Sequence, residues 1–318
     1  MAGRITFHDH KPKTLSLQDA VIQGFSGKPK SIPPKFFYDE RGSALFAAIC
    51  EQPEYYPPDI EQAMLSHLAD EIAELTGTGR VIIEPGAGSA AKIRLLLPAL
   101  KPIAYVPMDI SCEFLKEAAG ALADEFPWLP VHATCVDFTH SLPIPESAPK
   151  GPRLVFFPGS SIGNFTPGTA CEFLAMVHDK IGQDGMLLIG VDTKKDPRIL
   201  HAAYNDAAGI TAAFNLNLLH RIRHETGVEC HPENFEHRAF YNSDQGRIEM
   251  HLVSRCRQTL RLNGYHFKFS EGETVHTENS YKYTPQEFLE QAKQAGLREV
   301  RHWLGEQDLF AIYLLAAA

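Results

Sequence analysis

The sequence lacks the features that mark several large protein classes. Its six cysteines, at positions 50, 112, 135, 171, 230 and 256, are far apart and include no C-x-x-C pair. Neither a disulfide framework nor a zinc site is therefore expected, and the thiols should be reduced. No apolar run approaches the roughly 20 residues that a membrane helix needs, and the polar N-terminus does not resemble a signal peptide. We expect a cytoplasmic protein with no membrane partner.

Basic residues are scarce relative to acidic ones. The chain has 30 Lys and Arg against 39 Asp and Glu, a formal net charge of −9. Nucleic-acid binding depends on clustered basic residues, so no nucleic-acid partner is expected. The fifteen histidines form no H-E-x-x-H motif, so no metal is expected either. No pattern suggests an obligate dimer, and we expect a monomer that acts on a small molecule.

One stretch, VIIEPGAGSAAK at residues 81 to 92, carries the strongest local signal in the chain. Its first three residues predict a buried strand, with Glu84 at the end of that strand. Gly86 and Gly88 predict a sharp turn that lets a ligand approach the backbone closely. A helix predicted over Ala90–Leu100 would present its free N–H groups beside the turn. Strand, glycine turn and helix in this order predict a nucleotide-binding unit.

Strand-like and helix-like segments alternate from Asp59 to about residue 192, which predicts a parallel sheet with helices on both faces. Between residues 193 and 283 this rhythm gives way to a long helical stretch and half-exposed antiparallel strands. Two strands near the C-terminus, joined by a short link, predict a closing antiparallel pair. The predicted fold is α/β, a Rossmann-like sheet with an inserted α+β domain. Residues 58–192 and 284–318 would form the first domain and residues 193–283 the domain inserted in it, and residues 1–13 are expected to be loose.

Acidic residues stand at the ends of successive predicted strands. Asp109 ends the second strand, where a carboxylate can accept hydrogen bonds from both hydroxyls of a ribose. Asp137 and Phe138 end the third, where they could bind an adenine amino group and stack on its ring. Because open α/β sheets bind ligands at the carboxyl ends of their strands, these residues predict an adenosine site.

The residues alone leave the adenosine cofactor open. Gly86, Gly88 and Ala91 also match the G-x-G-x-x-G/A fingerprint of dinucleotide-binding proteins, so NAD is an alternative. Two points count against it. Glu84 would repel a pyrophosphate, whereas it would attract a methionine-derived ammonium or sulfonium, and no hydride-transfer partner is evident.

The segment Gly159–Gly163 matches the G-x-S-x-G motif of hydrolases. That motif requires a helix to begin directly after the serine. Here the residues up to Pro167 intervene, and Thr166 is the expected helix cap. We therefore expect no nucleophilic serine, and instead consider Asn164 as a substrate ligand.

Several blocks of the chain resemble one specific family. These blocks are FFYDERGS (36–43), PEYYP (53–57), EPGAGSAAK (84–92), PMDIS (107–111), VDF (136–138), FFPGSSIGN (156–164), VDTKKD (191–196), AAFNLNLLHRI (212–222) and TENSYKY (277–283). Together they resemble the ergothioneine-pathway histidine Nα-methyltransferases. The resemblance covers nearly the whole chain and is more specific than the glycine turn.

The resemblance implies an S-adenosylmethionine-dependent enzyme that methylates the α-amino group of L-histidine three times to give hercynine. It also implies that the second, substrate-binding domain combines residues 1–57 with the central insertion, residues 193–283. With Glu84 and Gly88 added from the glycine turn, the expected cofactor-binding residues are Tyr56, Glu84, Gly86, Gly88, Lys92, Asp109, Asp137 and Phe138.

The resemblance also implies roles for the substrate residues. Asn164 and Tyr204 would anchor the amino and carboxylate ends of the amino acid, and Glu278 and Ser280 would hydrogen-bond its imidazole. Tyr56 and Met250 would also contact the substrate. The candidate catalytic residues are Tyr38 and Asn164. Three other functions remain open: methylation of another amino acid or small amine, a non-catalytic adenosine-binding module, and an NAD oxidoreductase.

Overall fold

The computed structural model describes residues 5–10 and 15–318. Within them the strands are β1 (Ile5–Asp9), β2 (Lys30–Ser31), β3 (Val81–Pro85), β4 (Ala104–Asp109), β5 (Val131–Cys135), β6 (Arg153–Phe157), β7 (Met186–Asp192), β8 (Phe235–Asn242), β9 (Arg247–Ser254), β10 (Gln258–Leu262), β11 (Tyr265–Phe269), β12 (Thr274–Tyr281), β13 (Leu297–Leu304) and β14 (Phe310–Ala317). The α-helices are α1 (Leu17–Ser26), α2 (Glu40–Cys50), α3 (Pro57–Thr76), α4 (Leu97–Leu100), α5 (Cys112–Glu125), α6 (Pro167–Ile181), α7 (Pro197–Tyr204), α8 (Ile210–Thr226) and α9 (Pro285–Gln294). None of these helices combines the length and the apolar character needed to cross a membrane.

The chain divides into two compact units. The first contains residues 5–10 with Pro57–Thr193 and Tyr283–Ala318, and the second contains Leu15–Tyr56 and Lys194–Lys282. The N-terminal residues were expected to be loose and to belong to the second domain. Instead β1 lies in the first unit, because its backbone pairs in parallel with β5, with Ile5 opposite Val131.

The first unit is built on one mixed sheet with the strand order β1-β5-β4-β3-β6-β7-β14-β13. In this sheet the strands β1, β5, β4, β3, β6 and β7 run parallel to one another. Strand β14 runs antiparallel to both β7 and β13. The residues of β3 and β5 are buried throughout, as expected for central parallel strands covered on both faces. The predicted Rossmann-like α/β fold and its antiparallel closing pair are confirmed.

The helix predicted directly after the glycine turn is wrong. Residues 89–92 form turns, a short 3-10 segment follows at Ile93–Leu95, and α4 begins only at Leu97. Ala90 has a φ of +53°, in the left-handed region, so the chain cannot enter a right-handed helix at that point. No long helix therefore begins at the glycine turn.

The second unit contains a four-stranded sheet in the order β2-β12-β9-β8, a separate β10-β11 hairpin, and helices α1, α2, α7 and α8. The predicted helical stretch 199–224 is two helices, because Gly209, with φ +72°, ends the connection before α8. Strands β8 and β11 were not predicted. The buried residues Ile248, Met250 and Leu252 of β9 lie in the core of this unit.

The expectation of six reduced thiols is also wrong for this structure. Cys112 and Cys135 form a disulfide, with their Cα atoms 5.2 Å apart. Cys112 begins α5, directly after β4, and Cys135 ends the neighbouring strand β5. The separation of 23 residues concealed this proximity, which arises only when the two strands pair.

Candidate functional site

The carboxyl edge of the first unit's sheet collects most of the residues predicted to bind the cofactor. Glu84 lies near the end of β3, Asp109 ends β4, and Asp137 follows β5. Because β5, β4 and β3 are adjacent in the sheet, the structure brings these three strand ends together. This is the arrangement in which open α/β sheets bind ligands.

Asp109 connects the end of β4 to the glycine turn. Its Oδ2 accepts the backbone N–H of Gly88 at 3.1 Å, and its Oδ1 accepts the N–H of Ser111 at 2.9 Å. Burial raises the pKa of Asp109 above its ordinary value, although the two N–H donors act in the opposite direction. Each carboxylate oxygen has a second lone pair, so Asp109 retains the capacity to accept ribose hydroxyls.

Phe138 lies against Gly86. A Cβ placed on Gly86 would stand 3.2 Å from Cε1 of the Phe138 ring, and the φ of +68° is one that only glycine adopts readily. Phe157 and Phe173 hold the same ring, with centroids 6.0 and 6.3 Å away. The structure thus brings the glycine turn and the predicted adenine-stacking residue into contact.

Asp137 is already part of a local turn. Its Oδ1 accepts the backbone N–H of Thr139 at 3.2 Å and the Thr139 hydroxyl at 2.5 Å. These bonds fix the orientation of the carboxylate beside Phe138. A bond from Asp137 to an adenine amino group stays a prediction.

Glu84 does not present a charge to a ligand in the way the sequence suggested. Its side chain is 2% exposed, and the Tyr105 hydroxyl donates a hydrogen bond to Oε2. Burial raises the pKa of Glu84 to about 8, more than the bond from Tyr105 lowers it. At neutral pH the carboxyl is therefore mostly protonated, so it would attract a cationic ligand only weakly.

Lys92 is paired with a residue that the sequence analysis did not identify. Its ammonium forms an ion pair with Glu61 of α3, and Glu61 also accepts the backbone N–H of Gly159 at 2.9 Å. Glu61 is 1% exposed. The sequence did contain a signal for this ion pair: Glu61 lies within the buried stripe of the amphipathic helix α3, and a buried carboxylate needs a partner. Lys92 is 26% exposed, and its contact with a cofactor carboxylate stays a prediction.

The G-x-S-x-G segment does not have the strand-to-helix geometry of a nucleophile elbow. Ser161, the serine of the motif, donates its hydroxyl to the backbone carbonyl of Pro158 at 3.0 Å. The preceding Ser160 is in the left-handed region, and its Oγ accepts the backbone N–H of Asp192 at 2.9 Å. A 3-10 turn, Ser161–Asn164, follows, and α6 begins at Pro167 with Thr166 as its cap, as predicted. Asn164 is partly exposed after β6, where its side chain has no hydrogen-bond partner among the described residues.

The second unit places Glu278, Met250 and Ser280 in one region of its sheet. Glu278 of β12 lies opposite Met250 of β9, and Ser280 lies opposite Ile248. Residues two apart on a strand share a face, so Glu278 and Ser280 point the same way. Burial raises the pKa of Glu278 to about 7, while the charge of Lys282 acts to lower it.

Tyr204 and Lys282 form a buried network with Ser280. The Tyr204 hydroxyl donates to Ser280 Oγ at 2.8 Å. Lys282 Nζ donates to the same oxygen at 2.8 Å and to the Tyr204 hydroxyl at 3.2 Å. The sequence analysis gave Lys282 no role, although it belongs to the TENSYKY block. Tyr204 was expected to anchor the amino and carboxylate ends of the substrate, and in the structure it contacts Ser280, the predicted ligand of the imidazole.

Tyr38 and Tyr56 have different surroundings within the second unit. Tyr38 is 38% exposed and packs edge-on against Phe46 and Phe214. Tyr56 accepts a hydrogen bond from Lys195, whose ammonium also lies 4.4 Å from the centre of its ring. One face of Tyr56 is therefore already covered by a cation.

Glu249, His251 and His276 form a group whose potential metal-ligand atoms lie within 4.8 Å of one another. The Glu249 carboxylate is bound by Arg247 at 2.7 Å and by His251 Nε2 at 2.9 Å. These hydrogen bonds outweigh burial and lower the pKa of Glu249 to about 2. Because Arg247 already neutralises this carboxylate, we interpret the group as an ion-pair cluster.

The structure groups the predicted residues within each unit. Glu84, Gly86, Gly88, Lys92, Asp109, Asp137, Phe138 and Asn164 belong to the first unit, and Tyr38, Tyr56, Tyr204, Met250, Glu278 and Ser280 belong to the second. Their individual contacts with cofactor and substrate stay predictions.

Comparison with known proteins identifies relatives along the whole chain. A histidine N-alpha-methyltransferase of Mycolicibacterium smegmatis is 38% identical over 306 residues, which cover 94% of each chain. Ergothioneine biosynthesis protein 1 of Neurospora crassa is 31% identical over 95% of this chain and 35% of its own. A 4-dimethylallyltryptophan N-methyltransferase of Epichloe festucae var. lolii is 27% identical over 94% of each chain.

The match to a family profile is equally extensive. Residues 17–317 match the family described as histidine-specific methyltransferase, SAM-dependent, where SAM is S-adenosylmethionine. A match of this extent includes both units and selects SAM over NAD. The chain belongs to the histidine-specific, SAM-dependent methyltransferases.

Proposed function

We propose that this protein methylates the α-amino nitrogen of L-histidine three times and so forms hercynine, a step of ergothioneine biosynthesis. The family supports a SAM-dependent reaction on histidine. The observation that carries the choice of histidine is the Glu278 carboxylate, which has no hydrogen bond or ion pair among the described residues. A poorly solvated carboxylate of this kind is suited to bind a ligand N–H.

The first unit has the features that a SAM site requires. Asp109 retains lone pairs for ribose hydroxyls, and Phe138 offers a fixed aromatic ring. Apart from its chain neighbours, no heavy atom of the described residues lies within 4 Å of a Cβ placed on Gly88. That open space beside the backbone would admit a ligand. When bound, SAM supplies a methyl group that its sulfonium makes electrophilic. We propose that Asp109, Asp137, Phe138 and the glycine turn hold it.

The chain contributes to the transfer mainly by positioning the acceptor. Alignment of two reactants can lower a barrier by about 7 to 11 kcal/mol. The Asn164 amide oxygen would accept an N–H of the acceptor amine and so direct its lone pair. An α-amino group has a pKa of about 8 in model peptides and a higher one in a free amino acid, a range in which a strong base is not required to deprotonate the amine.

The aromatic residues would tolerate the positive charge that grows on the acceptor nitrogen. A cation over an aromatic face is stabilised by about 0.5 to 2 kcal/mol. Lys195 already lies over the Tyr56 ring at 4.4 Å. We assign this role mainly to Tyr38, whose side chain is 38% exposed.

The alternative is N-methylation of another amino acid on the same scaffold. The Epichloe relative, named for a tryptophan derivative, shows that a similar chain can act on an indole side chain. The polar pair Glu278 and Ser280 favours histidine, because an indole offers a single N–H and would leave one of these groups unpaired.

Mass spectrometry of products tests the proposal. Purified protein would be incubated with SAM and each of the twenty amino acids in separate reactions. Gains of one, two and three methyl groups on histidine alone are the expected result. Methylation of a different amino acid in place of histidine would reject the substrate but keep the reaction class.

Glu278→Ala tests the residue that carries the proposal. The preference for histidine over tryptophan and phenylalanine should fall by at least about tenfold, since a hydrogen bond to a charged group contributes about 1.5 to 3 kcal/mol. Glu271→Ala, at an exposed position of the same unit, is the matched control and should leave the preference unchanged. An unchanged preference in Glu278→Ala would contradict the assignment.

A further inference from the structure

The network around Ser280 restricts what this residue can offer to a ligand. Tyr204 and Lys282 both donate hydrogen bonds to Ser280 Oγ, each at 2.8 Å. Ser280 is 5% exposed and Lys282 is 2% exposed, so water does not compete freely for either group. The direction of these bonds therefore determines the polarity of the serine.

A serine hydroxyl has one proton and two lone pairs, whereas a lysine ammonium can only donate. The bonds from Tyr204 and Lys282 occupy both lone pairs of Ser280. Its own proton takes part in neither bond and is left for another acceptor. Ser280 can consequently act toward a ligand only as a hydrogen-bond donor.

Glu278 provides the opposite polarity at the neighbouring position on the same face of β12. Its carboxylate accepts hydrogen bonds when ionised, and Lys282 favours that ionised form, against the effect of burial. Alternate residues of a strand are about 7 Å apart. Glu278 and Ser280 therefore present an acceptor and a donor at alternate positions on one face of the strand.

We infer that Lys282 is a specificity-determining positioning residue: together with Tyr204 it makes Ser280 an obligate donor, so that Glu278 and Ser280 select a neutral ring with one N–H and one acceptor nitrogen. Neutral imidazole has both groups. Indole has only the N–H, and phenyl has neither. This inference rests on the proposed function, since it concerns the acceptor side chain of that reaction.

The test compares kcat/KM for histidine with kcat/KM for phenylalanine in several variants. Lys282→Met should lower the ratio of these two values by about tenfold or more, mainly through KM for histidine, because Ser280 is then free to rotate. Lys282→Arg, which retains a charged donor, should restore part of the ratio. Lys268→Met, an exposed lysine on β11, is the control and should behave as the unchanged protein does.

The double variant separates a positioning role from a structural one. In a Ser280→Ala background, Lys282→Met should lower the ratio much less than it does in the unchanged protein, because the hydroxyl that it orients is absent and only its effect on the charge of Glu278 remains. Equal losses for histidine and phenylalanine, or losses that multiply in the double variant, would overturn the inference. Thermal melts and SAM affinity report whether each variant remains folded.

If Lys282→Met does not fold, Tyr204→Phe decides the matter, since it removes the other donor to Ser280 with little change in volume. A lower histidine-to-phenylalanine ratio is expected, and an unchanged ratio would overturn the inference. Failure of the proposed function would be visible separately, as an unchanged protein that does not methylate histidine. The variants test the inference only through the change, relative to the unchanged protein, in the ratio of kcat/KM for histidine to kcat/KM for phenylalanine.

Discussion

The Oδ2 atom of Asp109 lies 3.1 Å from the backbone nitrogen of Gly88 and accepts its hydrogen bond. One carboxylate thus fixes the end of β4 to the glycine turn after β3, two segments that are 21 residues apart in sequence. The same carboxylate is the predicted ligand of the cofactor ribose. Its two tasks can be tested together.

Asp109→Asn should weaken SAM binding by about tenfold or more, because an amide offers one acceptor oxygen in place of two and a lost charged hydrogen bond is worth about 1.5 to 3 kcal/mol. Isothermal titration calorimetry with SAM measures the change. Asp124→Asn, at an exposed position of α5, is the control. Equal affinities of Asp109→Asn and the unchanged protein would contradict the ribose role.

The glycine turn offers a matched pair of substitutions. At Gly86 a new Cβ would stand 3.2 Å from the Phe138 ring, whereas a Cβ at Gly88 would meet no heavy atom within 4 Å in the part of the chain that the structure describes, apart from its chain neighbours. Both glycines have positive φ, so both alanine variants should lose about 1 to 2 kcal/mol of stability through backbone strain. Gly86→Ala should in addition displace Phe138 and weaken SAM binding more than Gly88→Ala. SAM affinities that fall equally in the two variants would argue against Phe138 as the adenine-stacking residue.

The Glu61–Lys92 pair should respond asymmetrically to substitution. Glu61 is 1% exposed and Lys92 is 26% exposed. Lys92→Met leaves a buried carboxylate without its cation and should cost about 2 to 4 kcal/mol, whereas Glu61→Gln frees a lysine that can reach water and should cost about 1 kcal/mol. Urea unfolding measures both changes.

The control for this pair is Arg301→Met, which breaks an ion pair at the surface. In that pair Arg301 is 59% exposed and its partner Glu71 is 43% exposed. Exposed ion pairs contribute about 0 to 1 kcal/mol, so this change should be small. The double variant Glu61→Gln with Lys92→Met should be at least as stable as Lys92→Met alone. A smaller loss in Lys92→Met than in Glu61→Gln would show that the buried carboxylate does not depend on the lysine.

Glu84 should make stability depend on pH in a defined direction. Its pKa is raised from 4.5 to about 8 in the folded protein, so the folded state holds a proton that the unfolded state releases. Its contribution to stability is present in full below pH ~4.5 and is lost as the pH rises through about 8. Glu84→Gln cannot titrate but can still accept the Tyr105 hydrogen bond.

The stabilities of Glu84→Gln and the unchanged protein should therefore be similar near pH 5 and diverge above it, with the variant the more stable by up to a few kcal/mol above pH ~8. Urea unfolding of both proteins at three pH values measures this difference. A constant difference across the range would mean that Glu84 does not change protonation there.

Local patterns in the sequence were sufficient for most of the first unit's sheet, but they missed the edge strand β1. Its strands are short apolar runs separated by amphipathic helices, and both signals depend on residues near one another in the chain. The positions of Asp109 and Asp137 followed from the same pattern, since a residue that ends a parallel strand must lie at the carboxyl edge. The helix predicted after Gly88 failed because residue type does not reveal that Ala90 adopts a positive φ.

The contacts that decide the chemistry could not be read in this way. Glu61 and Lys92 are 31 residues apart, and Tyr204 and Ser280 are 76 apart, so only tertiary packing reveals that each pair is bonded. The same holds for Cys112 and Cys135, which meet because β4 and β5 are neighbours. Charge and polarity at these sites depend on partners that are distant in sequence.

The sequence by itself determined the fold class, the cofactor class and the family, because these follow from periodicity and from residue blocks that are continuous in the chain. The tertiary structure alone decided that Glu84 is protonated near neutral pH, that Lys92 is paired, and that Ser280 can only donate. The physical reason is that protonation and hydrogen-bond direction depend on burial and on the nearest polar atoms, and folding selects those atoms from across the whole chain.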